Sequence, residues 1–200
     1  MLKIAVDKNQ FSGSHGKSNS VKHKQMENMG AILVPIPLPF GDYCKITDEI
    51  QSVIDSKKKI CKKDLEAVIP LSVDTKKDLQ ELYGNVCAQH ERFKRELLKP
   101  INNQSKLVIL CEHGEDVKCL EDVYFFYQPE MERFRWVTSN INGRTLKMRE
   151  RYMQKEIKGI SLFRSLCTIR DRYNVQFEFC DKNDTGKRIM EILSDGQRDY

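Results

Sequence analysis

No run of apolar residues in the 200-residue chain approaches the roughly 18 that a membrane helix needs. Met1-Leu2-Lys3 leads straight into a strand-like run instead of the apolar segment of a secretory leader. The expectation is a soluble, cytoplasmic protein without a membrane partner. There is no C-x-x-C among the seven cysteines, an odd and scattered set (44, 61, 87, 111, 119, 167 and 180). That excludes a disulfide framework and points to a reducing compartment. Cys111-Glu112-His113 with Cys119 lacks the paired close spacing of a zinc site. Cys87, Cys111, Cys167 and Cys180 fall within apolar patterns and read as small core hydrophobes. The phosphate-cradling pattern G-x-x-x-x-G-K-[ST] is also missing, because Gly13 and Gly16-Lys17-Ser18 stand too close together. Strong charge imbalance is lacking too: 34 basic against 29 acidic residues give +5 and a pI near 8.7. That balance accommodates a polyanionic partner without arguing for one.

What is there is an alternation of strands and helices. LKIAVD (2–7) is a strand ending on an acid, residues 11–20 read as a loop rich in Gly, Ser and Lys, and 20–29 read as a helix stopped by Gly30. The following run to Ile46 carries three prolines and suits an edge or bulged strand. Residues 47–66 hold a helix marked by Ile46, Ile50, Val53 and Ile54, and then the lysines at 57–59 and 62–63, read as a solvated helix end and loop or a phosphate-tracking edge. LVILCE (107–112) is a buried strand, 118–127 a short helix, 160–173 a helix, VQFEFC (175–180) a strand and 185–194 a last helix. Such alternation predicts an α/β layered fold, helices flanking a mixed central sheet, in one domain over 1–200.

The chemistry gathers around residues 67–97. A short apolar strand there meets Asp74-Thr75-Lys76, and an amphipathic helix is predicted directly after it. Side chains alternate along a strand, so Asp74 and Lys76 share a face. An acid that holds a divalent cation beside a lysine that orients water or neutralises phosphate is a phosphodiesterase pairing, although isolated D-x-K triplets are commonplace in a chain with 32% charged residues. Gly41-Asp42 reads as a tight turn leaving Asp42 close to the backbone. Beside D-x-K it supplies a second carboxylate. On the helix, His90 falls on the apolar line between Val86 and Phe93 and reads first as a core-edge histidine.

Residues 131–158 differ from their surroundings. Arg133, Arg135, Arg144, Lys147, Arg149, Arg151, Lys155 and Lys158 interleave with Phe134, Trp136 and Tyr152, with acids only at 132, 150 and 156. Cations neutralise phosphates and exposed rings stack on unpaired bases, so this basic excursion is a candidate nucleic-acid-binding segment; a merely solvated surface excursion fits it equally.

The ordered set IAVDK (4–8), PLPFGDY (37–43), VDTKKDLQELYGN (73–85), HERFKREL (90–97) and LVILCE (107–112) resembles the XPF-type nuclease domain of the PD-(D/E)XK restriction-endonuclease-like superfamily, most of all its compact phage and prophage forms. The resemblance implies a metal-dependent DNA endonuclease acting on branched, flapped or partly single-stranded DNA in phage-like replication, recombination or repair, in a bacterial or phage-infected cell. It implies Mg²⁺ or Mn²⁺ held by Asp42, Asp74 and the carbonyl of Thr75, with Asp7 or Glu81 completing the shell, Lys76 positioning water, and His90 and Arg92 supporting the site from behind. Thr75 stands where that family has arginine, Gln80 where it has an acid unless Glu81 takes the place, and Asn9 and Gln10 where it has Arg and Glu. The helix-hairpin-helix units of the family find no room after 195, which leaves DNA handling to 131–158, the lysine-rich spacer, a homodimer or a recruiting protein. A degenerate DNA-binding module and a protein-interaction or inhibitor protein are the other two classes.

Overall fold

A six-stranded mixed sheet organises the computed structural model, which describes residues 1–11, 13–114, 116–141 and 144–195. Chain order runs β1 (Lys3–Asp7), α1 (Gly13–Asn28), β2 (Ile32–Ile36), β3 (Tyr43–Lys45), α2 (Asp48–Ser56), α3 (Lys62–Leu65), β4 (Leu71–Lys76), α4 (Leu79–Tyr83), α5 (His90–Asn102) and β5 (Lys106–Cys111). After these come β6 (Tyr127–Gln128), β7 (Met131–Ile141), β8 (Arg144–Gln154), β9 (Ile157–Lys158), α6 (Gly159–Tyr173), β10 (Val175–Phe179) and α7 (Thr185–Asp195). The spatial order is β10-β5-β4-β3-β1-β2. Only β3 runs against its neighbours, pairing antiparallel with β1 and β4. The turn entering β3 therefore lies at the same edge of the sheet as the C-terminal ends of β1 and β4, where ligands of open α/β sheets bind.

Alternation along the strands sorts the core onto two faces. Ile4, Val6, Tyr43, Val73, Val108 and Leu110 pack under α1 and α7. Leu107, Ile109 and Cys111 pack under α4, α5 and α6, and Ala5 and Cys44 lie under α2 and α3 on the same side. Pro35 is accommodated because β2 is an edge strand, where a missing amide leaves no ladder bond unmade. Gly30, at φ +88°, ends α1 in the left-handed conformation that glycine adopts freely.

Four expectations change, one being that Cys87, read as a small core hydrophobe, is exposed. The predicted loop at 11–20 is helical from Gly13 onward, with Ser12 outside the described residues. Tertiary packing overrides weak local propensity here: α1 and α7 approach so closely that a methyl group on Gly186 would meet the Lys22 carbonyl at 2.6 Å. The helix predicted after Lys76 is broken at Gly84–Ala88 by a wide turn, in which the Gln89 amide donates to the Gly84 carbonyl at 3.0 Å. One extra residue in a turn rotates everything beyond it by about 100°. Phe93 and Leu97 lie in the core, while His90, on the same helix face but at the first position of α5, is open to water, its side chain 59% exposed. The short helix expected at 118–127 shrinks to a single tight turn at Glu121–Phe125. All seven cysteines are free, and no helix among the described residues is long and apolar enough to cross a membrane.

Candidate active site

Backbone bonds bring three separate acids to one edge of the sheet. The Asp7 amide donates to the Asp42 carbonyl at 2.9 Å, and the Asp42 amide donates to the Val73 carbonyl at 2.8 Å. The turn that allows this needs Gly41, which sits at φ +66° with a would-be Cβ only 2.3 Å from Ser72 Oγ. Any side chain there would both strain the backbone and collide with β4.

Asp42 is held by donors on both oxygens. Gln10 Nε2 donates to Oδ1 at 2.6 Å, while the Thr75 amide at 2.9 Å and the Thr75 hydroxyl at 2.6 Å donate to Oδ2. Gln10 Oε1 in turn accepts from Asn19, which fixes the amide with its NH₂ aimed at Asp42. Burial, and then the neighbouring Asp74, push the Asp42 carboxyl up to about 7 despite the Thr75 hydrogen bonds and Lys76. Asp74 and Lys76, two apart on β4, point the same way as alternation requires, and Lys76 Nζ lies 2.7 Å from Asp74 Oδ2. Burial opposes the Lys76 ammonium, but Asp74, Asp42 and Glu81 outweigh it and raise its pKa, keeping it charged.

Two clefts meet at this group. One, of about 280 Å³, is lined by Asp7, Asp42, Asp74, Lys76 and Arg92 together with Lys62 and Lys99. The other, of about 240 Å³, is lined by Asp42, Asp74, Thr75, Lys76 and Glu81 with Lys22, Lys77 and Lys182. Asp42, Asp74 and Lys76 thus form the wall between two cation-flanked hollows, with Asp7 on one side and Glu81 on the other. Asp7 already accepts from the Asn9 amide at 2.9 Å and the Leu38 amide at 3.1 Å, with Lys62 at 3.5 Å. Glu81 accepts from the Lys77 amide at 2.9 Å. Among the described residues no three His, Cys, Asp or Glu side chains converge on one cation position. The donor set fits a hydrated divalent ion held by few protein oxygens, since Mg²⁺ commonly uses one or two carboxylates and keeps its waters. A carboxyl held partly protonated at neutral pH beside a second acid is what such an ion would relieve.

No protein-family model matches the chain, and no curated protein matches it. A solved structure does: XPF from Aeropyrum pernix superposes with a TM-score of 0.52 at 14% identity, covering 98% of this chain. The chain spans 65% of the length of that protein. The fold is similar to that of this XPF structure.

On that fold, sequence reasoning reached Asp7, Asp42, Asp74, Thr75, Lys76, Glu81 and Arg92, all of which line one or both clefts. His90 does not, and its ring lies 3.5 Å from Glu91 on the outer surface. Gln10, Asn19, Lys22 and Glu112 were not singled out as site residues. Lys22 and Glu112 form a buried ion pair across 90 positions of sequence, in the wall of the second cleft. Glu112 ends an apolar strand, and that ending was its one visible signal.

The basic excursion is a long two-stranded ribbon of β7 and β8, joined in register from Met131↔Gln154 to Ile141↔Arg144. Arg133, Arg135, Trp136, Arg144, Lys147, Arg149 and Arg151 all stand on it, and none lines either cleft. Its root is fastened to α4, where Gln80 bonds both Arg133 at 3.1 Å and Gln154 at 2.6 Å. Gln80 directly precedes Glu81 of the second cleft.

Proposed function

We propose that this protein is a metal-dependent DNA endonuclease that hydrolyses phosphodiester bonds, with branched, flapped or partly single-stranded DNA as substrate. The observation that carries the reading is the pairing of Asp42 and Asp74 with a buried, charged Lys76 at the C-terminal edge of an XPF-like sheet. Asp42, Asp74 and the carbonyl of Thr75 would hold a Mg²⁺ or Mn²⁺, with Asp7 and Glu81 within reach of a second ion on either side. Such an ion, when bound, polarises the phosphoryl oxygen and acidifies a neighbouring water.

The chain's own groups do the rest. Gln10 and Thr75 hold the Asp42 carboxylate in one orientation. Lys76, fixed by Asp74, orients the attacking water and offsets charge growing on the non-bridging oxygens. Lys62, Arg92 and Lys99 on one side, and Lys22, Lys77 and Lys182 on the other, present cations to the phosphates flanking the scissile bond. A phage-like role in replication, recombination or repair is the biological setting we attach to this chemistry.

The engagement of both Asp42 oxygens, and the lack among the described residues of three acid, histidine or cysteine side chains converging on one cation position, favour one rival, a nuclease fold reduced to holding DNA. Labelled duplex, flap and four-way-junction DNA incubated with Mg²⁺, Mn²⁺ or EDTA separates the two. The nuclease cuts in metal and not in EDTA. Absence of cutting under every metal, with binding that weakens in salt, would leave only the rival.

A further inference from the structure

Register assigns every side chain of the ribbon to one of two faces. One face carries Phe134 and Trp136 from β7, and Lys147, Arg149 and Arg151 from the paired positions of β8, with Glu132 as its one acid. The opposite face carries Arg133, Arg135, Arg144 and Tyr152 with Glu150 as its one acid, together with Val137, Leu146 and Met148. The first face is open: Trp136 is 73% exposed and Phe134 49%. Arg149 lies over Phe134, its guanidinium carbon 4.2 Å from the ring centroid. Arg151 reaches Glu132 at 2.7 Å.

We infer that this face binds an unpaired nucleic-acid strand, stacking its bases on Trp136 and Phe134 while Lys147, Arg149 and Arg151 neutralise the backbone. The inference deepens the nuclease reading by naming the part of the substrate that is gripped away from the cleft. Four arguments choose this occupant. Three cations against one acid suit a polyanion, as do Arg133, Arg135 and Arg144 against Glu150 on the opposite face, and the exposed rings of Trp136 and Phe134 single out this one. Two rings at positions i and i+2 of a strand stand roughly 6.6–7 Å apart, about twice the 3.4 Å rise of stacked bases. That spacing admits one splayed base between the rings and does not match a stacked duplex. An arginine resting on one ring shows that the ring already takes a flat cation-bearing group on its face, as a base would be taken. Finally, the ribbon spans roughly 36 Å for eleven residues per strand, and its root adjoins the second cleft through Gln80. A strand leaving the cleft has the ribbon within reach.

Trp136 is the sole tryptophan of the chain, so its emission reports on this face alone. The full-length protein in EDTA, where cleavage is silent, is titrated with a short thymidine oligomer and separately with heparin, a polyanion without bases. The expected result is quenching by the oligomer and not by heparin. Trp136→Ala should weaken oligomer affinity, read by anisotropy, roughly fivefold to a hundredfold, while Met148→Ala on the opposite face binds as the parent does. Equal responses to oligomer and heparin, with Trp136→Ala binding as tightly as the parent, would overturn the inference. So would a protein-concentration-dependent dimer that Trp136→Ala dissolves without changing oligomer affinity, since the face would then belong to a second copy. A chain that binds and quenches but never cuts defeats the nuclease reading alone; one that cuts without quenching defeats this inference alone.

Discussion

The cleft edge and the ribbon carry comparable charged residues in opposite physical settings. At the cleft, the central charges are recessed and tied to fixed partners: Asp74 to Lys76, Asp42 to Thr75 and Gln10, Lys22 to Glu112. On the ribbon, the ion pairs Arg135–Glu150 and Arg151–Glu132 are open to water, with side chains between 43% and 71% exposed. Burial makes the first set expensive to disturb and able to hold perturbed proton affinities. Exposure makes the second set weak in energy and free to exchange partners, as a strand-gripping surface requires. Chemistry and grip are thus assigned to different parts of one chain.

The sharpest way to break the comparison is Lys76→Ala. Removing the ammonium leaves Asp74 beside Asp42 without its paired cation, and cleavage should fall on the order of 10³-fold with the far-ultraviolet spectrum unchanged. An equal loss from any single ribbon substitution would erase the distinction. Next comes Gly41→Ala, which combines a left-handed φ with the Ser72 collision. We expect a stability loss of about 2–3 kcal/mol in urea titration and a parallel loss of cleavage, because the turn aims Asp42.

The pH dependence of stability is a third discriminator. Folded Asp42 keeps its proton up to about 7, while the ordinary carboxyl loses it near 3.8. Between those values the folded chain binds the extra proton, so stability falls as pH rises through the window and the full cost remains above it. Asp42→Asn removes this dependence. In EDTA the variant should gain on the parent between pH 4.5 and 8 by an amount on the order of 2–4 kcal/mol; parallel curves would contradict the environment described for Asp42. Because a proton competes with a cation at the same carboxylate, Mn²⁺ affinity of the parent should weaken as pH falls below about 7. The smallest expected effect belongs to the ribbon: Arg151→Ala, which removes an exposed pair, should leave the unfolding midpoint unchanged within error.

Legibility in the sequence follows the same divide between local and distant causes. The Asp74/Lys76 pairing and the Gly41-Asp42 turn were readable because strand alternation and positive-φ turns are local rules. The layered α/β sheet followed from the order of apolar runs, and the edge position of β2 from Pro35. Gln10, Lys22 and Glu112 were not readable as site residues, because what places them is a helix packed on α7 and a partner 90 positions away. The periodicity puts His90 on the face of Phe93 and Leu97 but does not show that it opens a new helix beyond the break at Gly84–Ala88, where that face is no longer covered. The ribbon was seen as composition before it was seen as shape. Alternating rings and cations at 133–137, with Asn142-Gly143 before a second alternating run, are the sequence marks of a hairpin.

The measurement that bears most directly on the account is cleavage of a labelled flap DNA by the parent and by Asp74→Asn, side by side in Mn²⁺ and in EDTA. The account predicts metal-dependent cutting by the parent and none by the variant, with both equally folded and equally able to bind the DNA. Cutting by Asp74→Asn at the parental rate would contradict it.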